Sequence, residues 1–187
     1  MGQSALGANT TGELNTAIGV YAMKDNTTGD RNVALGYGAL QDMNVTDGSH
    51  TFNTALGFAA GENTSTGTVN TFVGGNAGNL NTTGNNNTAV GYVALSTNTS
   101  GVRNVAVGAQ ALLRNTTGVG RDALLNNTTA DNNIGIGYGA GYTIDTGANN
   151  TAIGVEALDA TNDGANNTAV GHQALSANCA NSNTAVG

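Results

Sequence analysis

Residues 87–103, NTAVGYVALSTNTSGVR, decide the fold because the rest of the chain repeats them. The same pattern begins seventeen residues earlier at Asn70, as NTFVGGNAGNLNTTG, and seventeen residues later at Asn104, as NVAVGAQALLRNTTG. A fixed period of this length is typical of solenoids, in which each repeat stacks on its neighbours. The sequence therefore predicts a column of stacked coils in place of a globular core.

The motif Asn-Thr-Ala-aliphatic-Gly starts twelve times when degenerate first and last copies are counted. The starts are Gln3, Asn15, Asn32, Asn53, Asn70, Asn87, Asn104, Thr116, Asn133, Asn150, Asn167 and Asn183. Most steps are 17 residues long, two are 12, one is 21 and the last is 16. We expect turns to absorb these differences while the strands keep their register. Residues 1–187 are interpreted as a single all-β repeat domain, a parallel β-roll of about twelve coils and a fragment of a longer fibre.

Within each copy the side chains alternate between the two faces of a strand. Thr88 and Val90 point one way, and Ala89 and Gly91 point the other. We predict a strand, a tight corner, a second short strand and another corner in each coil, with the β-branched row facing inward or onto another chain. Helices are excluded because a Gly every five to eight residues would cost about 1 kcal/mol each.

Glycine closes every copy, which predicts positive φ or a backbone too tightly packed for a Cβ. The best-preserved set is Gly19, Gly36, Gly57, Gly74, Gly91, Gly108, Gly137, Gly154 and Gly171, and Gly7, Gly120 and Gly187 complete it. The corners read NTTG, as at 26–29 and 81–84. There we expect Asn and Thr side chains to bond the local backbone and Gly to take the left-handed conformation. Asn at the head of each strand is expected to form a ladder along the stack.

Composition excludes several classes of protein. Only 9% of the 187 residues are charged, and the net charge is −7. The sequence contains no cluster of basic residues that could bind nucleic acid. The chain has no stretch of about twenty apolar residues that could enter a membrane. The start of the chain does not have the basic and apolar regions of a secretory signal.

The repeats NTAIGVYAM, NVALGYGAL, NTAVGYVAL, NTAIGVEAL and NTAVGHQAL, separated by NTTG turns, resemble the head repeats of trimeric autotransporter adhesins. They are also similar to the NTAxGxxAL repeats of bacteriophage tail fibres. The resemblance implies a left-handed parallel β-roll, a homotrimer and a non-enzymatic structural and receptor-binding role in attachment to host cells or surfaces. It also implies an extracellular location, on a bacterial cell surface or a virion tail fibre. The implied partners are further copies of the chain and a host receptor, glycan or matrix protein.

Breaks in the repeat are candidate contact sites because the scaffold does not require them. The long inserted turn 42–52, DMNVTDGSHTF, carries Asp42, Asp47, Ser49 and His50. A Ser, His and Asp in one loop raises the possibility of a nucleophile, but no oxyanion arrangement or supporting shell is visible, and we favour a contact loop. Further candidates follow the motif Gly: Tyr37, Phe58, Tyr92, Tyr138 and His172.

No catalytic residue, cofactor or metal is predicted. His172 would bind a metal only where symmetry-related copies met at an axis. The corners do not have the GGxGxD pattern of calcium-binding β-rolls.

Two other classes of function remain open. An ice-binding solenoid would need an exposed file formed by Thr16, Thr54, Thr71, Thr88, Thr151 and Thr168, whereas Val33, Val105 and Ile134 at the same position indicate an inward or interchain face. A glycan-cleaving solenoid would need paired carboxylates on neighbouring coils, and the acidic residues lie at irregular offsets.

Overall fold

A computed structural model describes residues 2–111, 117–127 and 132–187, and the chain divides into two compact units, Met1–Arg103 and Asn104–Gly187. The first unit contains β1 Thr16–Ile18, β2 Val33–Leu35, β3 Thr54–Leu56, β4 Thr71–Val73 and β5 Thr88–Val90. The second contains β6 Val105–Val107, β7 Thr117–Val119, β8 Ile134–Ile136, β9 Thr151–Ile153, β10 Thr168–Val170 and β11 Thr184–Val186. Within these ranges the regular structure is entirely β, without a helix, and each unit is a parallel β-solenoid.

Strands pair with their sequence neighbours, and equivalent motif positions face each other. Val33 pairs with Thr54 across the 21-residue step, and Val105 pairs with Thr117 across a 12-residue step. The prediction that turns absorb the length differences is therefore confirmed. The degenerate copy at Gln3 is different, because residues 3–8 form turns and not a strand.

The interior combines alanines and amides at the strands with single larger apolar residues, such as Leu40 and Leu95, in the turns. Ala34, Ala55 and Ala89 at the centre of their strands are fully buried, as are the strand-head residues Asn53 and Asn70. The expectation that the β-branched row faces inward is wrong for the single chain, because alanine and asparagine already fill the narrow space between the walls of the coil.

The buried asparagines link one coil to the next. Asn70 Oδ1 accepts the backbone N–H of Asn87 at 2.9 Å, and its Nδ2 donates to the carbonyl of Gly84 at 2.8 Å. The backbone N–H of Asn70 in turn donates to Asn53 Oδ1 at 2.9 Å. The predicted ladder is confirmed, and it runs from side chain to backbone, so each amide satisfies polar groups that would otherwise be buried without partners.

The segment after each motif Gly is a series of overlapping turns, and the predicted second short strand is wrong. In the first unit Ala22 N–H donates to Gly19 O at 3.4 Å, and Lys24 N–H donates to Tyr21 O at 3.2 Å. Tyr21 and Met23 have φ of 62° and 50°. A left-handed non-glycine residue costs about 1–2 kcal/mol. Here its amide gains a partner in a neighbouring coil, as when Met23 N–H donates to Ala39 O at 2.9 Å.

Most motif glycines are required by both conformation and space, as predicted, whereas Gly7 has no positive φ and a Cβ on Gly187 would meet nothing within 4 Å. Gly36 has φ of 137°, and a Cβ there would lie 2.6 Å from the carbonyl carbon of Gly57 in the next coil. The prediction for the NTTG corner is wrong in one respect, because the left-handed residue is Arg31, with φ of 60°, and not Gly29. Gly29 is needed for space, since a Cβ would lie 2.7 Å from Asn26 Oδ1.

One coil has a large aromatic residue at its strand centre, and two glycines make room for it. Phe72 occupies the strand position that is alanine in most copies and is fully buried. Gly61 and Gly78 stand where other coils carry buried Met23, Leu40 or Leu95. A Cβ on Gly61 would lie 2.7 Å from the Phe72 ring, so the ring fills the volume that these glycines leave empty.

Replacing Gly36 by Ala should destabilise the protein by about 3 kcal/mol or more, since the added methyl group would separate stacked backbones at a φ that only glycine adopts readily. Gly48→Ala is the matched control. Gly48 also has positive φ, at 72°, but a Cβ there meets nothing within 4 Å. Its loss should be about 1 kcal/mol. Urea unfolding measures both, and equal losses would contradict the role of backbone contact.

Candidate functional site

The largest candidate surface is the outward side of the strands. We call it the strand face and define it as the first and third residues of each strand, excluding Thr117. Ile18 and Leu35 on this face are 52% and 43% exposed in the single chain. Parallel pairing puts equivalent residues one above another, about 4.8 Å apart. Each unit thus presents two ordered rows of threonine and aliphatic side chains, with no charged residue among the strand residues defined here.

Aromatic side chains after the motif Gly form a second surface on the turns. Tyr37 and Phe58 stack with ring centroids 5.3 Å apart, and Tyr21 meets Tyr37 edge-on at 5.7 Å. Tyr92 and Tyr138 are exposed, as predicted for surface contacts.

In the second unit Arg121 organises the surface around Tyr138. Its Cζ lies 4.7 Å from the ring centroid of Tyr138, its Nη2 donates to the phenol oxygen at 3.1 Å, and its Nε donates to Asp122 Oδ2 at 3.1 Å. The phenol and Asp122 raise the pKa of the Arg121 guanidinium. His172, also in this unit, is exposed.

The polar residues of the inserted turn 42–52 bond to different partners. Asp47 Oδ1 accepts the N–H of Ser49 at 3.0 Å, whereas His50 Nδ1 lies 3.1 Å from Asp30 Oδ2. Hydrogen bonds from the Ser49 hydroxyl and N–H lower the pKa of Asp47. Asp42 bonds elsewhere, accepting from Gln41 Nε2 at 3.1 Å. The Ser, His and Asp therefore do not form the arrangement of a catalytic triad.

Sequence reasoning missed the contacts of two residues at this turn, Asp30 in the preceding coil and Phe52 within the turn itself. His50 meets Phe52 edge-on at 5.9 Å, and Arg31 Cζ lies 5.7 Å from the Phe52 ring. The available signal was the long step itself, because its 21 residues bring residue 50 beside residue 30 of the preceding coil. This pairing joins the base of the turn to the scaffold.

Metal and membrane chemistry receive no support from the described ranges. No group of three or more His, Cys, Asp or Glu residues there could hold a metal ion. The same residues form no helix that is long and apolar enough to cross a membrane.

Asp30, beside the turn, has a hydrogen-bond partner at each of its two carboxylate oxygens. The backbone N–H of Glu13, 2.7 Å from Asp30 Oδ1, is the main cause of its lowered pKa. Desolvation opposes this shift, and the hydrogen bond and charge of His50, with the charge of Arg31, add to it. Because the folded pKa lies below the unfolded one, the ionised carboxylate stabilises the fold at neutral pH.

Asp30→Asn should therefore lower the thermal midpoint by a few degrees at pH 7. The difference from wild type should shrink as pH falls below about 4, where an ordinary aspartate takes up its proton. Thermal unfolding followed by circular dichroism across pH measures this, with Asp163→Asn at an exposed corner as control. A difference that stayed constant down to about pH 2 would contradict a role for the charge.

Comparison with known proteins identifies no relative of this chain. No protein family, curated protein or solved structure matches the chain. The resemblance to adhesin heads and tail fibres thus remains a prediction from the repeat motifs, and function is inferred from the surfaces described above.

Proposed function

We propose that this chain is a non-enzymatic structural and receptor-binding segment of a homotrimeric surface fibre. The observation that carries the proposal is the strand face, which leaves ordered rows of Ile, Leu, Val and Thr uncovered on a single chain. Exposed apolar patches of this regularity mark interaction sites.

A second copy of the chain is the partner that the strand face fits best. It is an apolar and uncharged face, and the interior behind it consists largely of alanine and asparagine. A coil with so little apolar core gains stability by covering its outer rows. Parallel copies related by closed rotational symmetry would cover them at matching heights. The number three and the left-handed sense belong to the proposal through the resemblance of the repeats, and the count of twelve coils belongs to it through the number of motif copies.

Attachment would use the surfaces that remain outside such an interface. The inserted turn 42–52 and the exposed residues Tyr37, Phe58, Tyr92, Tyr138 and His172 supply aromatic and polar contacts of the kind that dominate protein and glycan recognition. A host receptor, glycan or matrix protein is the proposed partner, and the outside of a bacterium or virion is the proposed location.

The oligomeric state tests the proposal directly. Light scattering should give three times the 18.5 kDa mass of the chain. Leu35→Asp, which places a charge on the strand face, should shift the protein toward monomers, because burying an unpaired carboxylate is costly. Thr83→Asp, at an exposed corner, is the matched control and should remain trimeric. A monomeric wild type, or a Leu35→Asp variant that assembles normally, would contradict the proposal.

Ice binding is a second candidate because of the same surface. The structure exposes or half-exposes the first strand positions, for which the sequence indicated an inward or interchain face, and Thr16 and Thr71 are exposed. Successive first strand positions lie about 4.8 Å apart along the stack, which is the regular repeat that an ice-binding face needs. An ice-binding surface has to be free of partners, whereas the fibre proposal covers it.

Thermal hysteresis of the purified chain separates the two functions. Ice binding predicts measurable hysteresis that falls severalfold in Thr71→Tyr, where a bulky ring interrupts the rows, and stays unchanged in Thr83→Tyr. Trimers without hysteresis would eliminate ice binding. Monomers with hysteresis would instead eliminate the fibre interface.

A further inference from the structure

The segment GYGA occurs twice, once in each unit, and each copy borders a cavity on the turn surface. The two segments are residues 36–39 and 137–140. The first cavity has a volume of about 330 Å³ and the second about 170 Å³. A cavity bordering the same tetrapeptide in both units suggests a common purpose.

The backbone favours glycine at the second glycine of each segment but does not require it. Gly38 and Gly139 have φ of 64° and 62°. At the same position of other coils Tyr21, Asn76 and Val93 adopt φ of 62°, 55° and 59° with their side chains in place. Space does not require glycine either, since a Cβ on Gly139 would come only to 3.6 Å from Glu156 Cγ. What these glycines provide is the room beside the tyrosine.

The first cavity combines aromatic walls with an anchored carboxylate. Tyr21, Lys24, Tyr37, Gln41 and Glu62 line it. Glu62 Oε1 lies 3.6 Å from the place where a Cβ on Gly38 would stand. Its other oxygen, Oε2, accepts Asn79 Nδ2 at 3.0 Å, which fixes the carboxylate over the glycine.

The second cavity contains the same parts from different repeat positions. Asp122, Tyr138, Gly139, Tyr142, Glu156 and Asp159 line it. Glu156 Oε2 accepts Gln173 Nε2 at 2.9 Å, just as a carboxamide of the next coil holds Glu62. In addition Asp159 Oδ1 is buried without a hydrogen-bond partner among the described residues. An acceptor of this kind favours a ligand that brings a donor.

We propose that the two GYGA cavities bind neutral saccharides. A sugar ring presents C–H groups that pack on a tyrosine face and hydroxyls that donate to the held glutamate, so it matches the parts common to both sites. A cation fits the second cavity but not the first, where Lys24 stands, and an acidic sugar would meet carboxylates in both. This proposal deepens the proposed attachment function by naming the ligand class and its site.

The test is a titration of the full chain with methyl glycosides of neutral hexoses and N-acetylhexosamines, followed by NMR of the tyrosine rings. The protein has five tyrosines and no tryptophan, which keeps the aromatic spectrum simple. Saturable shifts are expected for Tyr37 and Tyr138. The double variant Gly38→Asn, Gly139→Asn fills both cavities with a residue that Asn76 shows to be compatible with this turn. It should weaken binding at least about tenfold, the effect of one lost contact of ordinary strength.

Val93→Asn is the matched control, since Val93 has the same repeat position as Gly38 and Gly139 but lies outside both cavities. Binding should be unchanged. Failure of every neutral glycoside to produce saturable shifts would overturn the proposal, as would equal binding by the filled variant, or a preference for tetramethylammonium or sialic acid. The oligomeric state of the wild-type chain separates the two proposals: a monomeric wild type that binds sugar supports the cavities alone, whereas a trimeric wild type that binds no sugar supports only the fibre.

Discussion

The close contact between backbones of successive coils is the constraint on which the structure depends. Stacked strands pair at the spacing of a β-sheet, and the chain leaves each strand through a glycine that lies directly against the glycine of the next coil. At Gly36 a single methyl group would collide with the backbone of Gly57. The preference for small residues elsewhere in the coil follows, since a narrow stack has no room for larger ones.

Hydrogen bonds take much of the place that apolar burial has in ordinary domains. The buried strand-head residues Asn53 and Asn70 each donate to a corner-glycine carbonyl and accept the backbone N–H of the next strand-head asparagine. Left-handed residues outside the strands donate to neighbouring coils as well. An interior satisfied in this way needs few large apolar side chains, such as Leu40 and Leu95 in the turns, and the aliphatic residues of the strands are left for the outer surface.

Periodicity predicted the strands, their order and their register, because a motif repeated in phase can stack in few ways. It also predicted the motif glycines and the asparagine ladder. The second short strand was wrong because its sequence, as in GVYAM, has no local mark of the left-handed residues Tyr21 and Met23, whose conformation is stabilised by partners one coil away. The inward β-branched row was wrong because alternation identifies two faces but does not say which one encloses the core. For the candidate site, exposure of Tyr92 and Tyr138 was predictable from their position, whereas the bond between His50 and Asp30 depends on how a 21-residue step folds back.

The exchange of volume around Phe72 has a consequence for how such a chain can change over time. A gene segment encoding an average coil can be duplicated or deleted by recombination with little harm, since its neighbours accept another alanine. The coil of Phe72 cannot move alone, because its ring occupies room vacated by Gly61 and Gly78. These three residues would have to be inherited together, as a cassette that limits where this array can lengthen or shorten.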